Sequence, residues 1–190
     1  MTGQDEADPR PRVVLVGPMG AGKTTVAALL ADRWSVAVRD TDHDVEQAVG
    51  KSIAEIFVDD GEQRFRELER AAVTEALRGH PGVLALGGGS VLDPATRAEL
   101  RGHRVVFLRV GLTDAVKRVG LGVGRPLLLG NVRSRIKSLL DERLLVYQEV
   151  AADTVETDGR TPEEVADEVA RLVERGLDPR LAVDGPAGGR

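Results

Sequence analysis

Between an apolar run and a helical pattern the chain reads GPMGAGKT, residues 17–24. Three glycines in eight residues need a reason, because glycine costs stability wherever the backbone must be fixed. Phosphate oxygens supply one. The pattern is G-x-x-x-x-G-K-[ST] with a predicted strand before it and a predicted helix after it, which is the setting that motif requires. Bare N–H groups in a curled loop can surround an anion, and a helix N-terminus adds positive potential. Gly20 and Gly22 let the backbone approach closely. Lys23, one of four lysines in the chain, would reach the outer phosphates, and the Thr24 hydroxyl would ligate Mg2+. The chemistry is that of ATP or GTP with magnesium. No N-K-x-D is present to read a guanine, and no apolar run ends in Asp-Glu. The phosphoryl acceptor is therefore expected to be something other than water.

Asp40 and Asp42 stand two apart after a second short strand, so they project to one side of an extended chain. One carboxylate could hold magnesium through water while the other takes a proton from an attacking hydroxyl. Equally, Asp42 could cap a helix beginning at His43, with Asp44 favouring its dipole. Arg66 and Glu69 are i and i+3, beside the apolar Phe65 and Leu68. A surface ion pair is the plainer use and a guanidinium fork on a substrate carboxylate the sharper one. Gly87, Gly88 and Gly89 lie at the C-terminal end of a central strand, where open parallel sheets receive ligands; a plain turn is the alternative. Arg125 sits in the loop GLGVGRPLLLGN (120–131), which is glycine-rich and interrupted by proline. A lid closing over phosphates would exclude water and bring a cation, whereas a solvated arginine would do neither. Pattern alone does not separate Arg118, Arg143 and Arg160 from surface charge.

These residues need elements to hold them. The spacing predicts strands over 12–16, 36–40, 104–110 and 153–158, and a strand followed by a tight turn over 82–90. Helices are predicted over 23–34, 43–50, 52–57, 62–78, 94–100, 113–119, 132–149 and 161–176. Val26, Leu29, Leu30 and Arg33 fall near one side of the first helix. Ser52 with Glu55 makes a capping box, Gly50 stops the helix before it, and Asp93 caps a helix whose first residue is Pro94. Strands alternating with helices imply a parallel sheet covered on both faces.

Composition sets the outer limits. Hydrophobic residues are 42% and charged ones 30% of the 190, as in an ordinary globular domain. A net charge of −5 argues against general binding to nucleic acid or anionic membrane. There is no cysteine, so disulfides and thiolate metal sites are excluded. The acidic start MTGQDEADPRPR has no apolar segment of a secretory signal, and no run is apolar enough to span a bilayer. The expectation is a cytoplasmic protein. No large exposed apolar helix face demands a partner, which makes it a monomer.

GPMGAGKTT, DTD, SIAEIFVDDGEQRFRELE, LGGGSV, RPLL and ER…VYQEVA occur in the order and spacing of the shikimate kinases, over about residues 12–174. The chain resembles that family. The resemblance implies an α/β fold of three layers, the P-loop NTPase type, with a five-stranded parallel sheet and helices on both faces. It implies a single kinase domain over 12–176, with a substrate-binding helical segment at about 41–70 and a mobile lid at about 119–131. Residues 1–11 and 177–190 would be disordered tails. The implied reaction is transfer of the ATP γ-phosphoryl group to the 3-hydroxyl of shikimate, on the route to chorismate and aromatic amino acids.

Carried over position by position, Gly20, Ala21, Gly22, Lys23, Thr24 and Thr25 match the ATP-phosphate loop, with Thr24 on Mg2+ and Asp40 on the metal's water shell. Asp42 matches the carboxylate on the shikimate hydroxyls and the candidate base. Arg66 and Arg143 match the two arginines on the shikimate carboxylate, and Gly87, Gly88 and Gly89 the backbone beside it. Arg125 matches the lid arginine, Arg118 the arginine at the lid base, and Arg160 a residue beside the adenine. A gluconate or nucleotide kinase would share the loop and the sheet but lack the D-T-D and G-E-x-x-F-R set. A nucleotide-binding module without catalysis would not need Lys23, Asp42 and Arg125 intact.

Overall fold

Five short strands alternate with eight α-helices in the computed structural model, which describes residues 9–120 and 132–177. In chain order they are β1 (Val13–Val16), α1 (Lys23–Trp34), β2 (Val38–Asp40), α2 (Thr41–Val49), α3 (Ile53–Asp59) and α4 (Gly61–Gly79). Then come β3 (Val83–Ala85), a 3-10 turn (Ser90–Leu92), α5 (Pro94–Leu100), β4 (Val105–Arg109), α6 (Leu112–Gly120), α7 (Val132–Val150), β5 (Asp153–Glu156) and α8 (Pro162–Leu177). All strand pairs are parallel, in the order β2-β3-β1-β4-β5. Every strand therefore ends on the same edge, and the loops that leave that edge carry the candidate residues.

Alternation along β1 explains the two covered faces. Val13 and Leu15 point into a core shared with Val26, Ala27 and Leu30 of α1 and with Val165, Val169 and Ala170 of α8. Val14 and Val16 point the other way, against Val73, Ala76 and Leu77 of α4, Leu100 of α5 and Tyr147 of α7. All four β1 residues are buried, as a central parallel strand requires. A third, small cluster of Val45, Ile56 and Phe65 holds α2, α3 and α4 together as one helical segment.

Local signals set most boundaries. Ser52 and Glu55 form both halves of the capping box, and Asp93 accepts from Ala95 N–H ahead of Pro94. Three expectations shift. The second strand begins at Val38 instead of 36, since this edge strand pairs only with β3, whose ladder opens at Val38↔Val83. In α1 the buried positions are Val26, Ala27, Leu30 and Ala31; Leu29 is only half-buried, and Arg33 reaches Asp167 of α8 at 2.5 Å. The helix expected to start at His43 under an Asp42 cap starts at Thr41 instead. Asp40 is its cap, extended at φ −125° and accepting the Asp42 N–H. Residues 1–8, 121–131 and 178–190, and so most of the expected lid with Arg125, lie outside the described residues.

Candidate active site

The loop after β1 curls through Gly20 and Gly22 at positive φ, and Gly22 at φ 89° is the N-cap of α1. An L side chain is strained there, so glycine is required if the first helical N–H groups are to face outward. Lys23 folds along the inside of this loop and donates to the Gly17 and Pro18 carbonyls at 2.7 and 3.1 Å. Burial lowers its pKa; the Asp42 and Asp40 carboxylates push it back up, and Arg143 lowers it further. Three charged groups from β2, α2 and α7 are thus near enough to act on one ammonium.

Asp40 joins the loop to the second strand. Its Oδ2 accepts the Thr24 hydroxyl at 2.8 Å, and its Oδ1 accepts the Asp42 N–H at 3.0 Å. The cap that the sequence offered to Asp42 therefore falls to Asp40. Thr24 Oγ and the Asp40 carboxylate form a set of hard oxygens suited to magnesium, which prefers one or two protein ligands plus water and phosphate. No group of three or more metal-binding side chains occurs among the described residues.

The turn after β3 is built around close approach. A Cβ on Gly87 would collide with Asp42 Oδ1 and stand 2.7 Å from Glu69 Oε1, while one on Gly89 would collide with the Arg66 guanidinium. Thr41, fully buried, accepts the Gly87 N–H at 3.0 Å and so locks the turn to the start of α2. Arg66 donates to Glu69 Oε2 at 2.7 Å, and Ser90 Oγ donates to Glu69 Oε1 at 2.9 Å. Glu69 is 4% exposed, so this is not the screened surface pair that the spacing alone favoured. Arg66 keeps a third of its side chain open, facing a groove of about 530 Å3 walled also by Gly89 and Ser90.

From the other side α7 brings Arg143, whose Nη1 donates to the Gly88 carbonyl at 3.1 Å. Two guanidinium groups from different helices thus meet the same three-glycine turn that the Asp42 carboxylate approaches at Gly87. At the β4–β5 end, Arg118 of α6 donates to the Gly20 carbonyl at 3.2 Å and to Thr157 O at 2.8 Å, tying the phosphate loop to the turn after β5. Arg160 points along that turn, to Glu156 O, Glu168 and Glu164 O.

Sequence reasoning missed Glu69 as an anchor, and also Thr41, Ser90 and Tyr147. Glu69 could have been found: it stands four residues from Phe65 and four from Val73, on the buried stripe of α4. Tyr147 also left a trace, as the one tyrosine of the chain, four residues past Arg143. Its hydroxyl donates to the Gly88 carbonyl at 2.5 Å and its ring stacks on Phe107 at 4.9 Å. Burial pushes its pKa up to about 12. The folded state then holds the phenol proton more tightly than the unfolded chain, whose value is near 10.0. That contribution to stability is complete below pH 10 and is lost as pH rises toward 12. Phenolate absorbance should therefore show no ionisation step near pH 10 in folded protein. A step there would place the ring outside the core.

The family model for shikimate kinase matches residues 19–174. The chain is 57% identical over 162 residues to a shikimate kinase of Thermobifida fusca, covering 85% of this chain and 94% of that one. It is 60% identical over 163 residues to one of Salinispora arenicola, covering 86% and 98%. Among solved structures, shikimate kinase from Acinetobacter baumannii in complex with shikimate superposes with a TM-score of 0.83 at 33% identity, covering 90% of this chain and 96% of that one.

Proposed function

Because this chain belongs to the shikimate kinase family, and so is an ATP-dependent kinase acting on the 3-hydroxyl of shikimate on the route to chorismate, we propose how its own residues divide that work. The observation that carries the proposal is the meeting of Arg66, Arg143 and Asp42 at one glycine turn, which lies against the phosphate loop at Gly17 and Met19.

The ATP phosphates lie against Gly20, Ala21, Gly22, Thr24 and Thr25, whose N–H groups open the α1 N-terminus. Lys23 exchanges the Gly17 and Pro18 carbonyls for phosphate oxygens. Thr24 Oγ and, through water, Asp40 would hold Mg2+, which when bound would offset the negative charge of the phosphates. Arg160 lies beside the adenine, and Arg118, at the lid base, supports the phosphate loop through the Gly20 carbonyl. Arg66 and Arg143 grip the shikimate carboxylate as two planar forks, and Glu69 fixes the first of them. Gly87 and Gly89 let Asp42, Glu69 and the Arg66 guanidinium approach the turn closely, and the backbone of Gly87, Gly88 and Gly89 lies beside the ring. Asp42 orients the 3-hydroxyl and takes its proton as the oxygen attacks the γ-phosphorus. Arg125, as the family's lid arginine, would add a cation to the phosphates. Most of the acceleration is positioning and fixed charge. The protein works as a cytoplasmic monomer, without nucleic acid or membrane; among the described residues no helix is long and apolar enough to cross a bilayer.

An ADP-release assay with shikimate, gluconate and nucleoside monophosphates as acceptors tests this directly. Turnover with shikimate alone is the expected result. Preference for gluconate or a nucleotide would overturn the assignment of the two arginines, and no turnover with any acceptor would leave a binding module.

A further inference from the structure

Gly88 carries the most contested acceptor of the site. Its part-buried carbonyl takes the Tyr147 hydroxyl at 2.5 Å and Arg143 Nη1 at 3.1 Å. Both donors come from α7, four residues apart, so one helical turn presents them side by side. Arg143 is held at this turn by Gly88 and by the Tyr147 phenol oxygen, while its Nε is buried with no hydrogen-bond partner among the described residues. A guanidinium in that condition gains by turning toward a carboxylate, which accepts two parallel N–H bonds. Turning away would take a donor from Gly88. A carbonyl has two lone pairs and is satisfied by one good donor, but losing its only donor carries a penalty.

Tyr147 removes that penalty. Its side chain is among the largest fully buried ones, clamped between α7 and β4 by the stack on Phe107, with 19° between the ring planes. The hydroxyl therefore stays on Gly88 whatever Arg143 does. Neighbouring contacts depend on it too: Ser90 N–H bonds Gly87 O at 3.1 Å and Ser90 Oγ reaches Glu69, so the Gly88 peptide lies between the supports of both arginines. We propose that Tyr147 is a positioning residue for the acceptor substrate: its hydroxyl holds the Gly88 carbonyl so that Arg143 is released to the substrate carboxylate. This rests on the assignment of Arg143 to that carboxylate.

The test is steady-state kinetics on Tyr147→Phe, Arg143→Lys and the double variant, with Phe107→Leu as a control. Tyr147→Phe keeps the ring and the stack, and should raise the shikimate KM about tenfold, the ratio that one unmade buried hydrogen bond implies, with the ATP KM unchanged. In the Arg143→Lys background the same change should have little further effect, because the tyrosine acts through the arginine. Phe107→Leu keeps the Tyr147 hydroxyl and loosens only its stack, so it should lower thermal stability and raise the shikimate KM by much less than Tyr147→Phe does. Three results would overturn the inference: an unchanged shikimate KM in Tyr147→Phe while Arg143→Lys raises it, a tyrosine effect that persists in full beside Arg143→Lys, or a Phe107→Leu effect on KM equal to that of Tyr147→Phe. If Arg143→Lys itself leaves the shikimate KM unchanged, the carboxylate assignment fails, and the inference with it.

Discussion

Lys23→Ala is expected to lower kcat by at least about a thousandfold, the scale of losing one preorganised charge at a reacting centre, without loss of thermal stability. The two halves of that result have separate causes. Catalysis needs a cation that follows the γ-phosphoryl group as negative charge spreads over it, and no other lysine lies in the phosphate loop. Stability does not need it. Burial lowers the Lys23 pKa, so the folded state binds this proton less tightly than the unfolded chain does. The charged form therefore destabilises the fold at neutral pH, and that effect fades as pH rises past the lowered value. Alanine removes the two hydrogen bonds to Gly17 and Pro18, and it also removes the buried charge. Circular dichroism melting beside the rate measurement checks both halves. A large fall in melting temperature would mean that the lysine is chiefly structural.

Arg66→Ala is expected to raise the shikimate KM about a hundredfold, as truncating one member of a desolvated charge pair does, while leaving the ATP KM nearly unchanged. Here stability should fall as well. Glu69 is 4% exposed and would keep only the Ser90 hydroxyl. Stranding a fully buried carboxylate costs about 3–5 kcal/mol, and because the Arg66 guanidinium edge is open to water, about 2 kcal/mol is the expected loss here. Adding Glu69→Gln to Arg66→Ala should restore most of the stability, since a neutral amide can bond Ser90 without a counter-charge. It should restore none of the shikimate affinity. Recovery of both together would show that Arg66 serves the scaffold and does not touch the acceptor.

The sequence exposed the parts of the site that are contiguous and hid those that depend on packing. The phosphate loop was legible because its glycines, Lys23 and Thr24 must be consecutive to line one curl of backbone. So were the capping box at Ser52 and Glu55 and the start of α5, where neighbouring residues satisfy the helix end. The Asp40–Asp42 pair was half legible. Its spacing showed that two carboxylates share a side, but not that Asp40 caps the helix with one oxygen while Thr24, sixteen residues away, meets the other. Glu69 was misjudged for the same reason. An Arg and a Glu three apart on a helix look alike in water and in a core, and only the approach of Ser90 and Gly87 decides which they are in. The link from Tyr147 to Gly88 spans 59 residues and leaves no local mark beyond the tyrosine itself.

In the proposed division of labour one cleft has two chemically distinct ends, an ammonium and bare amides for the nucleotide and two guanidinium forks for the acid. Calorimetric titration of folded wild-type, Lys23→Ala and Arg66→Ala proteins with Mg·ADP and, separately, with shikimate tests it most directly. The predicted result is a crossed pattern: Lys23→Ala weakens the nucleotide and spares shikimate, while Arg66→Ala weakens shikimate and spares the nucleotide. Equal weakening of both ligands by either variant, or undiminished shikimate binding by Arg66→Ala, would contradict it.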